Sequence, residues 1–377
     1  MVRDGLLSNT ISYLRFPLTV GVVLIHFSLA EGLIINKVQY GMDNPDWYFY
    51  IVNLFSEVLA RICVPLFFII SGFLFFNRKE FNSSIYKQKL KTRFTTLFIP
   101  FILWNIIAIL WKLKYLLPVI SSYYRPLEFQ FSFERLIYTF FCNSDSNGII
   151  VGTPTAEATY GIYPIDLPLW YIRELMIMVI VSPVIYYIIK KAGKWFVAFL
   201  GIMWLSAPTI ISETNYADLL ITAVFYFSLG AFFGINGMDI VRQFRKIKFA
   251  PYIYIILAIA DTLTKGKEYN EYIHRLGILF GTVSAVIIVS YLLESGKAKP
   301  HFALASSSFF IFALHYLFIG DVGRFAFMTL HIPDSNPYAM LTLYFLIPVF
   351  TISVCIILYR LTRILFPIIC NLLTGHR

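Results

Sequence analysis

The stretch Ile11–Leu29, ISYLRFPLTVGVVLIHFSL, decides the fold. It is long enough to cross a bilayer, which takes about 20 mostly apolar residues. It also carries Arg15 and His26. Ionisable groups inside a span are costly, and they usually face a polar interior, a partner or a task. The two lie eleven residues apart. At about 100° per residue this is about three turns plus 20°, so both share one helix face, about 16 Å apart along the axis. Two readings follow. One is an anion clamp with a base above it. The other is an arginine that snorkels to the headgroups and a histidine bonded to a neighbouring helix.

The rest of the chain agrees with a membrane setting. Of 377 residues, 58% are hydrophobic and 14% charged, against about 25% charged in soluble domains. Mean hydropathy is +0.72. The 37 Phe and 25 Tyr suit lipid-facing surfaces and interfacial belts. A net charge of +10 would suggest nucleic acid in a soluble protein. Here basic cytoplasmic loops account for it, and no nucleic-acid partner is expected. No small-residue cleavage site follows the first apolar run, so it reads as a retained helix.

Hydropathy predicts an all-α polytopic protein, a single domain over 1–377. Its ten spans fall roughly at 11–29, 50–76, 94–116, 167–189, 195–212, 218–236, 250–264, 273–293, 303–320 and 338–360. Lys and Arg crowd alternate connections: Lys87, Lys89, Lys91 and Arg93; Lys190, Lys191 and Lys194; Arg242, Arg245, Lys246 and Lys248. That asymmetry places both termini in the cytoplasm. The long connection Pro118–Asp166 then lies outside and is expected to cover a site. The expected location is the bacterial cytoplasmic membrane, with lipid as a general partner.

Intramembrane polar residues point to a site. Glu57 and Arg61 are spaced for a helical ion pair. Arg173 and Glu174 open the fourth span. Asp261, His274, Arg275 and His315 fall, with His26, toward the extracytoplasmic half. A shared polar cleft would explain this, as would local pairing of each. The basic run Lys87–Arg93 reads as a topology signal or as a phosphate site. No Cys/His cluster has metal-ligand spacing, so no metal is expected. There is no nucleotide-binding loop or serine-nucleophile elbow.

These residues resemble a known family. Arg15, ten residues, then His26 is similar to the start of the acyltransferase 3 family of membrane acyltransferases. Arg61 through Leu74, with Ser71, Gly72 and Phe73, resembles its second span. Lys91-Thr92-Arg93 resembles its basic R-x-R element, with lysine in place of the first arginine. Pro168–Arg173, Phe227–Gly230 and Ser308–His315 resemble three further segments, all in order. Pro17 stands where many members have a small residue.

The resemblance implies transfer of an acyl group, acetyl or succinyl, from a cytoplasmic acyl-CoA to a hydroxyl of an extracytoplasmic or lipid-linked glycan. CoA would be a substrate, with no permanently bound cofactor. In that reading Arg15, Lys91 and Arg93 hold the donor phosphates and His26 is the general base. Glu57, Arg61, Arg173, Glu174 and His315 orient the acceptor. Polysaccharide-assembly proteins are then natural partners. The rival reading is a transporter or flippase of a lipid-linked sugar or small anion.

Overall fold

The computed structural model describes residues 2–30, 45–77, 81–116, 128–129, 133–142, 151–152, 162–209, 216–330 and 336–376. The chain is an all-α polytopic membrane protein. Among the described residues, eight helices are long and apolar enough to cross a bilayer. They are contained in α1 (Val2–Ala30), α2 (Asp46–Phe76), α3 (Ser83–Lys112), α5 (Leu167–Ala192), α7 (Tyr216–Ile235), α10 (Asn270–Glu294), α11 (Phe302–Leu330) and α12 (Pro337–Leu365). Short helices α4 (Phe133–Phe141), α8 (Ile240–Phe244) and α13 (Pro367–Thr374) lie between or after them. A two-residue antiparallel pair, Glu128–Phe129 with Val151–Gly152, is the one sheet among the described residues.

The two remaining predicted spans are α6 (Lys194–Ser206, 13 residues) and α9 (Ala250–Leu263, 14 residues). At 1.5 Å per residue each covers about 20 Å, short of a hydrocarbon core of about 30 Å. Hydropathy saw them because each turns an apolar stripe outward: Trp195, Phe199 and Ile202 on one, Tyr252, Ile255, Ile256 and Ile259 on the other, all exposed. The expected cover, Pro118–Asp166 with its polar run Asn143–Gly148, falls mostly outside the described residues.

The basic run is not a loop, as the hydropathy reading had it. It is the first three turns of α3, capped where the Asn82 side chain accepts from Ile85 N at 2.9 Å. Nothing in SSIYKQKLKTR breaks a helix, and polar sequence without glycine or proline continues readily into an apolar span. A second local feature escaped the sequence. Asn53–Leu59 and Phe94–Phe98 are π-helical, and Ala60–Ile62 is a 3₁₀ turn. Such bulges cluster at functional sites. Here they carry Glu57 and Arg61, and follow directly on Arg93.

In α1, Pro17 sits mid-helix without ending it. With no water in the bilayer core, the helical ladder is the best way to satisfy the backbone. Thr19 Oγ1 adds a bond to the Arg15 carbonyl at 2.9 Å.

The tightest helix pair is α2 with α7. Gly230 and Gly234 form a G-x-x-x-G face on α7, and Gly72 answers from α2. A Cβ on Gly230 would run into the backbone of Ile69, and one on Gly72 into the backbone of Phe227. Small residues let membrane helices approach this closely, where packing rather than water exclusion drives association. Around this pair lies the larger apolar cluster, with Leu66, Phe68, Phe73 and Tyr226 almost wholly buried. A second cluster, built on Val23, Phe27, Ile311 and Tyr344, joins α1 to α11 and α12.

Candidate active site

Helix α1 runs between two distinct environments. At the level of Arg15 and Thr19 it lines a cavity of about 440 Å³. The other walls come from α2, the Arg93–Thr96 turn of α3, α5, Phe227 of α7, the first three turns of α11, and Gly375 and His376 beyond α13. The cavity lies toward the end of the bundle that carries the Lys87–Arg93 and Lys190–Lys191 clusters. Its cationic wall residues are Arg15 and Arg93, joined by the His376 imidazole. Lys91 is exposed and does not belong to that wall. Two residues from Arg93 on a helix is about 200° around the axis, which turns Lys91 away.

On three helices the wall residue furthest from the basic end is aromatic: Phe67, Tyr171 and Phe312. The Tyr171 ring centre lies 5.8 Å from that of Phe67 and 6.0 Å from that of Phe312. Tyr171 Oη also shares a 2.8 Å hydrogen bond with Ser71 Oγ. This cluster lines the end of the cavity nearer the opposite half of the bundle.

Beyond it, two helical stripes continue to a pair of histidines. His26 lies two turns past Thr19 on α1, and His315 one turn past Phe312 on α11. Their ring centres are 5.4 Å apart, and Tyr316 stands edge-on to His26 at 5.4 Å. Both imidazoles are buried, at 5% and 0% exposure. His315 Nδ1 lies 2.9 Å from the Ile311 carbonyl. A carbonyl only accepts, so Nδ1 carries the proton and a neutral His315 presents Nε2 as a lone pair. That Nε2 and His26 Nδ1 are both buried without a hydrogen-bond partner among the described residues. Orphaned buried polar atoms are rare and call for a ligand or a chemical role.

The predicted Glu57–Arg61 pair forms, with Arg61 Nη2 2.6 Å and Nε 3.1 Å from Glu57 Oε2. Ser56, beside Glu57, bonds the Leu24 carbonyl of α1 at 3.0 Å and the Tyr344 hydroxyl of α12. The π-turn is thereby fixed to the helix that carries His26.

The other predicted polar residues pair locally. Arg173, 4% exposed, holds Glu174 at 2.8 Å. It donates to the carbonyls of Phe141 and Ile162 and stacks on Tyr216. Its donors tie α4 and the approach to α5 into the bundle, which makes it an anchor of that region. Asp261 is held by Lys265 and His274, each at 2.8 Å. Arg275 pairs with Asp218 at 2.7 Å and Glu271 at 2.8 Å.

Asp166 escaped the sequence reading altogether. It precedes α5 and is wholly buried, and neither carboxyl oxygen has a hydrogen-bond partner among the described residues. Burial pushes its carboxyl well above the usual carboxylate range, against the pull of the Lys112 ammonium. In the unfolded chain it ionises near pH 4. Between there and its raised folded value, the folded state holds a proton that the unfolded state has lost. Stability therefore falls as pH rises through that window, by up to about 1.4 kcal/mol per pH unit. Asp166→Asn removes this slope. Melting temperature measured from pH 4 to 8 should fall less steeply in the variant, with the largest gain at the alkaline end. Parallel curves would show that Asp166 stays ionised in the fold.

The family known as acyltransferase domain, acyltransferase 3, matches residues 9–360. The chain belongs to this family. It is a membrane acyltransferase. The succinoglycan biosynthesis protein ExoH of Rhizobium meliloti is 25% identical over 383 aligned positions, covering 99% of this chain and 94% of that protein. No solved structure gives a significant match. The family match spans the His26–His315 pair and the cavity wall except Gly375 and His376.

Proposed function

We propose that this acyltransferase moves an acetyl or succinyl group from cytoplasmic acyl-CoA to a hydroxyl of an exported or lipid-linked glycan. The observation that carries the reading is the two-level geometry of α1: Arg15 in a cationic cavity, and His26 beyond an aromatic cluster against a second histidine. The Lys and Arg distribution supports a cavity mouth on the cytoplasmic side, with both termini, and histidines toward the outer half. The likeness to a succinoglycan biosynthesis protein supports a polysaccharide acceptor.

The chemistry follows from the side chains. Arg15 and Arg93 take donor phosphates, for which guanidinium is well suited. The pantetheine arm runs along α1 past Phe67, Tyr171 and Phe312. His26 removes the proton of the acceptor hydroxyl as its oxygen attacks the thioester carbonyl. His315, its tautomer set by the Ile311 carbonyl, turns the lone pair of Nε2 to the site, where it steadies the imidazolium that forms on His26. Arg61 supplies positive charge for the developing oxyanion. When the C–S bond breaks, the CoA thiolate takes the proton from His26, leaving an ester and free CoA. Glu57 and Arg61 are placed to meet the acceptor.

Two measurements test this. Mass spectrometry of the cell-surface glycan, with and without the protein, should show loss of one acyl substituent per modified sugar. In detergent, Arg15→Ala with Arg93→Ala should weaken CoA binding at least tenfold, since each charge-assisted contact contributes about 1.5–3 kcal/mol. A folded double variant with unchanged CoA affinity would remove the cavity from the donor path.

A further inference from the structure

The turn after α13 is built in an unusual way. α13 docks against α3, where Trp104 Nε1 donates to the Leu373 carbonyl at 2.9 Å, and Cys370, Leu373 and Thr374 are buried. Gly375 follows at φ +65°, a conformation that favours glycine. Space demands glycine as well, because a Cβ there would collide with the backbone of Thr96. The next residue, His376, keeps a positive φ of 59°. Among the described residues no other non-glycine does so. Its N–H bonds the Asn371 carbonyl at 2.9 Å. Two successive left-handed residues form a hook, and the hook turns His376 into the cavity wall beside Arg15 and Arg93. A strained backbone of this kind persists where its surroundings over-determine it, often at binding sites.

The composition of that wall indicates what the hook meets. Among the described residues it holds two guanidinium groups, an imidazole and the hydroxyls of Thr96 and Ser306, and no carboxylate. Such a set suits a polyanion rich in acceptor oxygens. We propose that His376 is a third phosphate-binding group of the donor cavity, placed there by the Gly375 hook. The assignment rests on the donor reading above and adds a residue from the far end of the chain to it. The phosphate is that of the CoA nucleotide; a lipid headgroup offers the same chemistry, and the experiment separates them.

The test compares wild type, His376→Ala and His376→Lys in neutral detergent, each checked by its melting temperature. Probes are CoA, dephospho-CoA and pantetheine. His376→Ala should raise the Kd for CoA about tenfold, and His376→Lys should restore most of that loss. Pantetheine, which lacks phosphate, should bind all three alike. A smaller His376→Ala effect with dephospho-CoA would assign the contact to the 3′-phosphate, and an equal effect to the diphosphate. Wild-type affinity of His376→Ala for CoA overturns the subsite and leaves the donor reading standing. If wild type binds no CoA, the donor reading falls. Retention of phosphatidylglycerol over phosphatidylcholine in nanodiscs then decides the subsite: dependence on His376 sustains it as a lipid-phosphate contact, and independence overturns it.

Discussion

His26→Ala should transfer acyl groups about 10²–10⁴-fold more slowly than wild type while binding acyl-CoA nearly as well. The expectation follows from the separation of the two levels of α1. The donor cavity ends at Phe67, Tyr171 and Phe312, and His26 is not in its wall. Removing the imidazole therefore leaves the phosphate contacts in place and takes away the base. His315→Gln refines the test. A glutamine keeps an acceptor oxygen for His26 but cannot take up a proton, so its rate should fall between wild type and His315→Leu, with the acceptor KM little changed. Purified variants, matched by melting temperature and assayed for transfer to the native glycan, provide the measurement. A stable His26→Ala protein working at the wild-type rate would defeat the mechanism even though the family assignment stands.

Gly230→Ala should destabilise the bundle by about 3 kcal/mol or more, at the upper end of overpacking effects. The added methyl meets the main chain of Ile69, which has no rotamer through which to withdraw. Relief requires α2 and α7 to separate, and that loosens Leu66, Phe73 and Phe227 together. Gly72→Ala should act alike, since its methyl meets the backbone of Phe227. Gly5→Ala is the control: nothing lies within 4 Å of a Cβ there, and its effect should stay within about 0.5 kcal/mol. Thermal unfolding in one detergent ranks the three. Equal stability of Gly230→Ala and wild type would show that the close crossing is not required.

Some of this was legible in the sequence and some was not, for physical reasons. Helical spans announce themselves through hydropathy, because every lipid-facing side chain must be apolar. The shared face of Arg15 and His26 follows from helix periodicity alone. The Glu57–Arg61 pair was readable as well, since its spacing survives the π and 3₁₀ turns that carry it. Hydropathy did not reveal that the described helices α6 and α9 have only 13 and 14 residues, because it averages residue types and does not see where a helix ends. Asp166 and His376 were invisible for a different reason. Each gains its meaning from neighbours far away in sequence: Asn105 and Lys112 for one, Arg15, Arg93 and Thr96 for the other. The tautomer of His315 likewise depends on its ring meeting the Ile311 carbonyl, which no residue pattern dictates.

The histidine pair joins positions 26 and 315, and the same pattern recurs. Ser56 meets Tyr344, Trp104 meets Leu373, and Lys114 meets Asp321. These four partners of the first third of the chain belong to its last fifth. A ribosome adding about 5–20 residues per second needs about 15–60 s to travel between the two. Through that interval His26 has neither His315 nor Tyr316 beside it. Both levels of the site close only when the last helices arrive. A nascent chain halted before α11 therefore carries Arg15 and His26 but lacks His315 and the α11 wall of the cavity.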